Sequence, residues 1–288
     1  MQKSIDLQMH SHYSDGSKSP AELVQLLVTK KIVVAALTDH NTIHGQYEFQ
    51  AAAKKYGIKT INGVEIYMTY RGRSLHLLGY NIDINNAHLH DALRETQVAR
   101  KKMIERLVPK LKRVGIFLDI SELFAQPATY IGVANVVRVI EHNPKNTKRI
   151  RTFLKKQSYD FFEVYNALFS PTAPCHLPEF SVPAKKAFEL IKRAKGVAVL
   201  SHPGWHLGFT EDHILLELQK MGMAGIECFS SHHNWDQTAH YLNVARRAKL
   251  IVTGGSDYHG DLPSDAIIEN YHQYTSLPYE IYEKIKLF

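Results

Sequence analysis

Five apolar segments of this chain each end at a histidine or a carboxylate, and this repeated pattern constrains the fold most. Several of the segments are uniformly apolar and rich in β-branched residues, which is typical of strands buried on both faces of a sheet. Helical periodicity lies between them at both ends of the chain, so the pattern predicts βα units around a parallel sheet. The sequence predicts strands at Ser4–Met9, Ile32–Thr38, Lys59–Tyr70, Ser74–Tyr80, Val197–Ser201, Gly225–Phe229 and Leu250–Gly254.

The first predicted helix has a clear start signal. Ser19 is placed as N-cap, Pro20 as the first helical residue and Glu22 three residues after the cap, which is a capping box. Similar helices are predicted over Gln46–Tyr56, Glu211–Met221 and Trp235–Lys249.

Between residues 89 and 195 the pattern changes to basic, helical periodicity without a convincing strand. This region holds 20 Lys and Arg against 10 Asp and Glu, a net charge of +10, whereas the whole chain has +7. We therefore predict a helical insertion domain at 89–195 between two parts of a barrel, 1–88 and 196–288. A basic insertion favours a polyanionic partner, although solvated basic surface explains many of the individual charges equally well.

Composition excludes several classes of protein. The longest uninterrupted apolar run, Ile32–Leu37, is far shorter than a membrane span requires, and no signal-peptide pattern follows Met1. The two cysteines, Cys175 and Cys228, are too few for a disulfide framework. We expect a soluble, cytoplasmic protein without membrane association, and we infer no obligate protein partner.

The ends of the predicted strands hold an unusual number of metal-ligand side chains. The chain has 17 histidines against 16 glycines, and in a parallel barrel all carboxyl ends of the strands open on one face. Side chains that are distant in sequence would converge there. The residues that follow strand ends are Gln8, His10, His12, Asp15, Asp39, His40, His202, His232, His233, Asp257 and His259, and two more, Glu65 and His76, lie within predicted strands.

Such a set predicts a polynuclear metal site. Imidazole and carboxylate ligands without cysteine suit Mn²⁺, Fe²⁺, Zn²⁺ or Mg²⁺. Neighbouring divalent ions commonly support in-line attack of metal-bound hydroxide on phosphorus. We therefore expect two or three divalent ions per chain, with Mn²⁺ favoured.

Six motifs carry a family resemblance. Ile5-Asp-Leu-Gln-Met-His-Ser-His-Tyr-Ser-Asp-Gly, Ala36-Leu-Thr-Asp-His-Asn-Thr, Gly63-Val-Glu, Leu75-His-Leu-Leu-Gly, Leu200-Ser-His-Pro and Gly255-Ser-Asp-Tyr-His resemble the successive motifs of the PHP (polymerase and histidinol phosphatase) superfamily. The chain is most similar to its bacterial metal-dependent phosphoesterases, the TrpH/YciV-like group. The resemblance spans the chain and implies an α/β fold, a distorted (βα)7 barrel with a helical insertion.

The resemblance also implies three metal positions. The first would use Gln8, His10, Glu65 and Asp257, and the second would use Glu65 as a bridge with His76 and His202. The third would use Asp15, His40 and His259. Asp39 would orient an imidazole from outside the ligand set, and His12 falls outside the aligned motif. The catalytic candidates are Glu65, His202, His259 and Asp39.

Two departures from the family pattern bear on function. Gln8 replaces the first family histidine, so the first metal is held weakly, is shifted toward Mn²⁺ or Mg²⁺, or is lost. Thr129-Tyr-Ile-Gly-Val-Ala stands where related enzymes have Arg-Pro-His, and Tyr130, Ile131 and Gly132 cannot replace a guanidinium that clamps phosphate.

The leading hypothesis is a phosphoesterase acting on a nucleotide or short oligonucleotide, including exoribonuclease activity, with His259 or His202 assisting the leaving group. A small-molecule phosphomonoesterase of the histidinol-phosphate type is the alternative within the enzymes. A non-catalytic module that binds metal or nucleic acid is the alternative outside them. For His232 and His233 a pocket role and a polar loop are equally weighted; His206 is expected at the surface, and His176 and Trp205 could edge the pocket.

Overall fold

The computed structural model describes residues 4–260, and one sheet of eight strands dominates it. The strands are β1 (Ser4–Asp6), β2 (Ile32–Leu37), β3 (Lys59–Tyr70), β4 (Arg73–Tyr80), β5 (Val182–Pro183), β6 (Val197–Leu200), β7 (Gly225–Ser230) and β8 (Ile251–Gly255). The helices are α1 (Pro20–Thr29), α2 (Gln46–Lys55), α3 (Ala87–Arg113), α4 (Ile120–Ala125), α5 (Val133–His142), α6 (Pro144–Leu154), α7 (Phe161–Phe169), α8 (Ala184–Arg193), α9 (Pro203–His206), α10 (Asp212–Lys220) and α11 (Trp235–Ala248).

The sheet curls into a nearly closed barrel. The strands follow the order β1-β2-β3-β4-β6-β7-β8, and β5 pairs with β3 outside this path. The two ends of the sheet meet where the amide of Leu7 donates to the carbonyl of Gly254, at 3.3 Å, and Met9 bridges to Tyr258. The predicted α/β barrel class is confirmed.

One strand departs from the predicted parallel sheet. β4 is antiparallel to both β3 and β6, whereas the other neighbouring pairs are parallel. The prediction of an all-parallel sheet was therefore wrong. The reason is local: only Arg71 and Gly72 separate β3 from β4, and so short a link forms a hairpin and cannot hold a helical crossover.

Local start signals predicted the first helix correctly. The hydroxyl of Ser19 accepts a hydrogen bond from the Glu22 amide, and Glu22 accepts from the Ser19 amide, which completes the capping box. β1 is shorter than predicted, since it ends at Asp6 and not at Met9. Beyond Asp6 the chain instead pairs intermittently with the loop after β8.

The helical stretch from α3 to α7 encloses a hydrophobic cluster of its own. This cluster runs from Ile104 to Leu177 in sequence and is separate from the clusters that line the barrel. β5 lies within the region for which no strand was predicted. The division at residues 89 and 195 stays a prediction, and the last predicted segment, 196–288, extends past the described residues. Within 4–260, no helix combines the length and apolar character needed to cross a bilayer.

Candidate metal centre

The nine predicted metal ligands lie together at one rim of the barrel. They follow the ends of β1, β2, β6 and β8 or lie within β3 and β4, and only His259 is more than slightly exposed. His76 reaches this rim because β4 is antiparallel: it lies early in its strand, opposite Tyr67. The structure therefore brings together Gln8, His10, Asp15, His40, Glu65, His76, His202, Asp257 and His259.

Glu65 is the central residue of the site. It is fully buried, and its two carboxylate oxygens face different groups of side chains. Oε2 lies 3.2 Å from His10 Nε2 and 3.3 Å from His40 Nδ1. Oε1 lies 3.0 Å from His76 Nδ1 and 3.3 Å from His202 Nε2. Burial opposes its ionisation, but the surrounding imidazoles hold the pKa of Glu65 well below its usual value.

The first group of potential ligands consists of His10, Glu65 and Asp257, whose donor atoms lie within 4.8 Å of one another. His10 Nε2 is 2.9 Å from Asp257 Oδ1. Although burial lowers the pKa of His10, hydrogen bonds to Asp257 and Glu65 outweigh burial and raise it well above 6.5. A proton on His10 thus offsets part of the charge of two carboxylates, and a divalent cation at this position would replace that proton.

The second group contains a histidine that was expected at the surface. His206 joins His76 and His202, with donor atoms of the three imidazoles within 4.8 Å of one another. Burial, followed by the charges of His76 and His202, lowers the pKa of His206 to about 2. His206 follows His202 by four residues, one helical turn, and this spacing was the available sequence signal.

The third group consists of Asp15, His40 and His259, together with His10. Burial would raise the pKa of Asp15, but the neighbouring imidazoles, first His40 and then His259, lower it to about 2. Burial lowers the pKa of His40 to about 3. The Nδ1–H of His259 donates to the Asp257 carbonyl at 2.7 Å, which leaves Nε2 as an acceptor facing Asp15.

Gln8 contacts the centre through its amide group. Its Nε2 donates to Ser201 Oγ at 2.9 Å and to Glu65 Oε2 at 3.3 Å. Its Oε1 is buried and has no hydrogen-bond partner. The side-chain amide of Gln8 therefore lies beside Glu65, where the sequence predicts a weak ligand of the first metal ion.

Asp39 differs from its expected role. Its carboxylate accepts hydrogen bonds from the backbone and hydroxyl of Ser11, at 2.6 and 2.7 Å, and from the Ser14 hydroxyl at 2.7 Å. Hydrogen bonds between Asp39 and an imidazole are absent from the structure within 4–260. Asp39 instead anchors the loop that carries His10 and Asp15, while burial raises its pKa.

Of the four remaining histidines that the sequence suggested, one contacts a side chain of the ligand groups, and the other three lie outside those groups. His232 reaches the site, with Nε2 2.7 Å from Asp257 Oδ2. His233 accepts a hydrogen bond from the Gly204 amide and contacts the Cys228 carbonyl, so it positions α9. His12 belongs to none of the three ligand groups found among the described residues. His176 hydrogen-bonds to carbonyl groups at the end of α7, away from these groups.

The helical stretch reaches the rim through the segment that lacks Arg-Pro-His. A Cβ atom on Gly132 would lie 2.7 Å from Asp15 Oδ2, so only glycine allows this approach. Arg138, from α5, donates to the Asp15 carbonyl at 2.7 Å. The sequence pattern does not single out this guanidinium, and it places Glu227 in a strand without a role. The Glu227 carboxylate accepts a hydrogen bond from the His202 amide at 2.9 Å, and burial raises the pKa of Glu227.

The donor set fits divalent metal ions. Buried polar atoms normally have hydrogen-bond partners, yet several buried nitrogen and oxygen atoms at this rim, all of types that bind metal ions, have none. They are Gln8 Oε1, His10 Nδ1, Asp15 Oδ1, His202 Nδ1 and His206 Nε2. The clustered carboxylates and imidazoles satisfy the ligand requirements of Mn²⁺, Fe²⁺ or Zn²⁺.

Comparison with known proteins places this chain in a family. Residues 6–165, more than half of the chain, match the PHP domain. The chain therefore belongs to the PHP domain family. A 3′,5′-nucleoside bisphosphate phosphatase of Chromobacterium violaceum is 28% identical over 88% of this chain and 87% of its own length. A 5′-3′ exoribonuclease of Haemophilus influenzae is 29% identical over 90% of this chain and 91% of its own.

Solved structures agree on the fold. An amidohydrolase from Chromobacterium violaceum, solved with bound sulfate and no metal, has a TM-score of 0.80 at 26% identity and covers 99% of this chain and 96% of its own. A protein from Bifidobacterium adolescentis has a TM-score of 0.82 at 22% identity with the same coverage. The second likeness shows the fold alone.

Replacing Glu65 tests whether its carboxylate unites the site. We expect Glu65→Gln to lower kcat by at least ~100-fold and to reduce bound metal, because one carboxylate serves two ligand groups. His12→Ala removes a nearby imidazole outside the groups and should change kcat by about a factor of 2. Elemental analysis and kcat measured with added Mn²⁺ check both variants. Equal losses in the two would refute the register of the first motif.

Restoring histidine at position 8 tests the amide contact. If the Gln8 oxygen is a weak ligand, Gln8→His should lower the Mn²⁺ concentration for half-maximal activity by about 10-fold. Manganese titration with parallel measurement of metal stoichiometry gives the answer. An unchanged titration and stoichiometry would show that position 8 does not contribute to metal binding.

Proposed function

We propose that this chain is a metal-dependent phosphoesterase that hydrolyses nucleotide or short-RNA phosphoesters. The observation that carries the proposal is the placement of Glu65, whose two oxygens face separate groups of imidazoles. A carboxylate in that position suits the bridge between neighbouring divalent ions. The named activities of the two relatives support the same reaction class.

We propose two or three divalent ions per chain, with Mn²⁺ favoured by the oxygen-rich first group. The first ion would use His10, Glu65 and Asp257 with Gln8, and the second would use Glu65 with His76 and His202. The third would use Asp15, His40 and His259. When bound, such ions act as Lewis acids toward phosphate and lower the pKa of coordinated water.

The chain's own residues have distinct roles in this proposal. Asp39 holds the loop of His10 and Asp15 through Ser11 and Ser14. His259 is oriented as a ligand, because its Nδ1 proton is held by the Asp257 carbonyl. His202 is likewise assigned as a ligand, through the Nε2 that faces Glu65 Oε1 at 3.3 Å.

An exposed tryptophan at the rim favours a substrate with a nucleobase. Trp205 is 59% exposed although it belongs to the same short helix as His206. Its indole stacks on His232, with ring centroids 4.4 Å apart and planes 16° from parallel. His232 in turn contacts Asp257 of the first group. A base stacked on this indole would place its phosphate near the ligand groups.

The basic helical stretch favours the oligonucleotide form of the substrate. It borders the rim at Gly132 and Arg138, and its exposed α6 carries Lys148, Arg149 and Arg151. The buried free cysteines Cys175 and Cys228 support a reducing, cytoplasmic location.

A small-molecule phosphomonoesterase is the second candidate, because Tyr130, Ile131 and Gly132 replace the Arg-Pro-His of related enzymes. A substrate panel with added Mn²⁺ separates the candidates: p-nitrophenyl phosphate, its bis-ester, a 3′,5′-bisphosphate, AMP and a 5′-phosphorylated RNA oligomer. We expect the nucleotides to give the highest kcat/KM. Preference for the simple monoester would favour the second candidate, and no turnover of any substrate would favour a non-catalytic module.

Removing the indole tests the base-stacking surface. Trp205→Ala should raise KM for AMP or RNA by about 5- to 100-fold, since stacking of one base is worth ~1–3 kcal/mol. The KM for p-nitrophenyl phosphate should stay within about 2-fold. Trp235→Ala is the matched control, because Trp235 is 71% exposed and begins α11. Equal effects on both substrates would remove the support for a nucleobase.

Salt dependence tests the basic stretch. Activity on RNA should fall with salt more steeply than activity on p-nitrophenyl phosphate, because each neutralised phosphate releases counterions. Reversing Lys148, Arg149 and Arg151 to Glu should raise KM for RNA and spare the small ester. Reversal of Lys54, Lys55 and Arg246, which are exposed outside the stretch, is the control. If both triple variants behave alike, the basic stretch is only solvated surface.

A further inference from the structure

We propose that His206 is a fourth protein ligand to the ion that Glu65, His76 and His202 would hold. The inference rests on the metal centre of the proposed function and adds a residue that the family pattern did not indicate. It also predicts metal preference, because the set would comprise three imidazoles and one carboxylate.

The first support is the convergence of donors. Ring centroids of His206 lie 4.8 Å from His76 and 5.2 Å from His202. The three imidazoles each offer a donor atom within 4.8 Å of the others. Glu65 Oε1 contacts two of these imidazoles, at 3.0 Å from His76 Nδ1 and 3.3 Å from His202 Nε2. The cluster of three imidazoles therefore lies directly beside the Glu65 carboxylate.

The second support is an unsatisfied atom. His206 Nε2 is buried and has no hydrogen-bond partner. Leaving a buried imidazole nitrogen without a partner costs free energy, which a bound cation would recover. Packing against Trp205 alone, at 5.5 Å between centroids, would be served equally well by an apolar ring and does not explain this nitrogen.

The third support is the way α9 is held in place. Gln237 donates to the Gly204 carbonyl at 2.7 Å, and the Gly204 amide donates to His233 at 2.9 Å. His202, the second residue after β6, is fixed by the hydrogen bond that its amide donates to the Glu227 carboxylate. His202 and His206 are therefore held one turn apart by contacts outside the ligand group, as preorganised ligands should be.

The consequence is a difference between the sites. Three imidazoles with one carboxylate suit Zn²⁺ or Fe²⁺ in four-coordinate geometry. The first group, with Glu65, Asp257 and the Gln8 amide, is richer in oxygen and suits Mn²⁺ or Mg²⁺. We therefore expect one ion, the one that His206 contacts, to be retained as zinc more tightly than the others.

Two measurements on the full chain test whether His206 is a metal ligand. Competition with a chromophoric chelator gives the affinity for Zn²⁺. The visible absorption of the Co²⁺-loaded protein reports four-coordinate ligation by nitrogen. His206→Phe and His206→Gln should weaken the tightest Zn²⁺ site by about 10- to 100-fold, a loss that even outer partners of metal sites can cause. They should also change the Co²⁺ spectrum. His213→Gln, which removes an exposed imidazole from α10, should leave both readouts unchanged.

The outcomes separate the two levels of the argument. If the wild type binds neither Zn²⁺ nor Mn²⁺, the metal centre and the proposed function both fail. If the wild type binds Zn²⁺ and the His206 variants bind it equally well, only the role of His206 is overturned. Thermal unfolding of the metal-free variants checks folding, and His206→Gln gives the answer should the Phe variant fail to fold.

Discussion

The buried carboxylate of Glu65 is the constraint on which the rim of the barrel depends. An ionised carboxylate without water costs several kcal/mol unless it is paired, and Glu65 is fully buried. Its compensation comes from four imidazoles contributed by four different segments of the chain. Each of those four segments must therefore bring its histidine within contact of the Glu65 carboxylate.

The antiparallel strand β4 shows how the barrel meets this requirement. In an all-parallel barrel, a histidine early in its strand would lie at the opposite rim from Glu65. Because β3 and β4 form a hairpin, His76 pairs beside Tyr67 and contacts Glu65 at 3.0 Å. The Ser201 amide then bonds to the His76 carbonyl and brings β6, with His202, to the same level. The antiparallel direction of β4 thus places His76 within contact of Glu65.

Most of the fold and much of the site could be predicted because local and repeated signals carry them. The buried strands are continuous apolar runs, α1 has a capping box, and the polar residues at strand ends converge by geometry alone. The direction of β4 does not follow from its apolar pattern, which is the same for a parallel and an antiparallel strand. It depends on the two-residue link between β3 and β4. His206 was missed because single histidines in loops are common, and the Asp39 contacts depend on how one loop folds back onto Ser11 and Ser14.

The loop from His10 to Gly16 connects the barrel to the helical stretch and couples the two. On the barrel side, the Asp39 carboxylate accepts a hydrogen bond from the Ser14 hydroxyl. On the other side, two residues of α5 donate to the loop: Asn135 to the Ser14 carbonyl and Arg138 to the Asp15 carbonyl. Gly132 lies against the Asp15 carboxylate with no room for a side chain. A shift of α5 would therefore move Asp15, a member of the third ligand group.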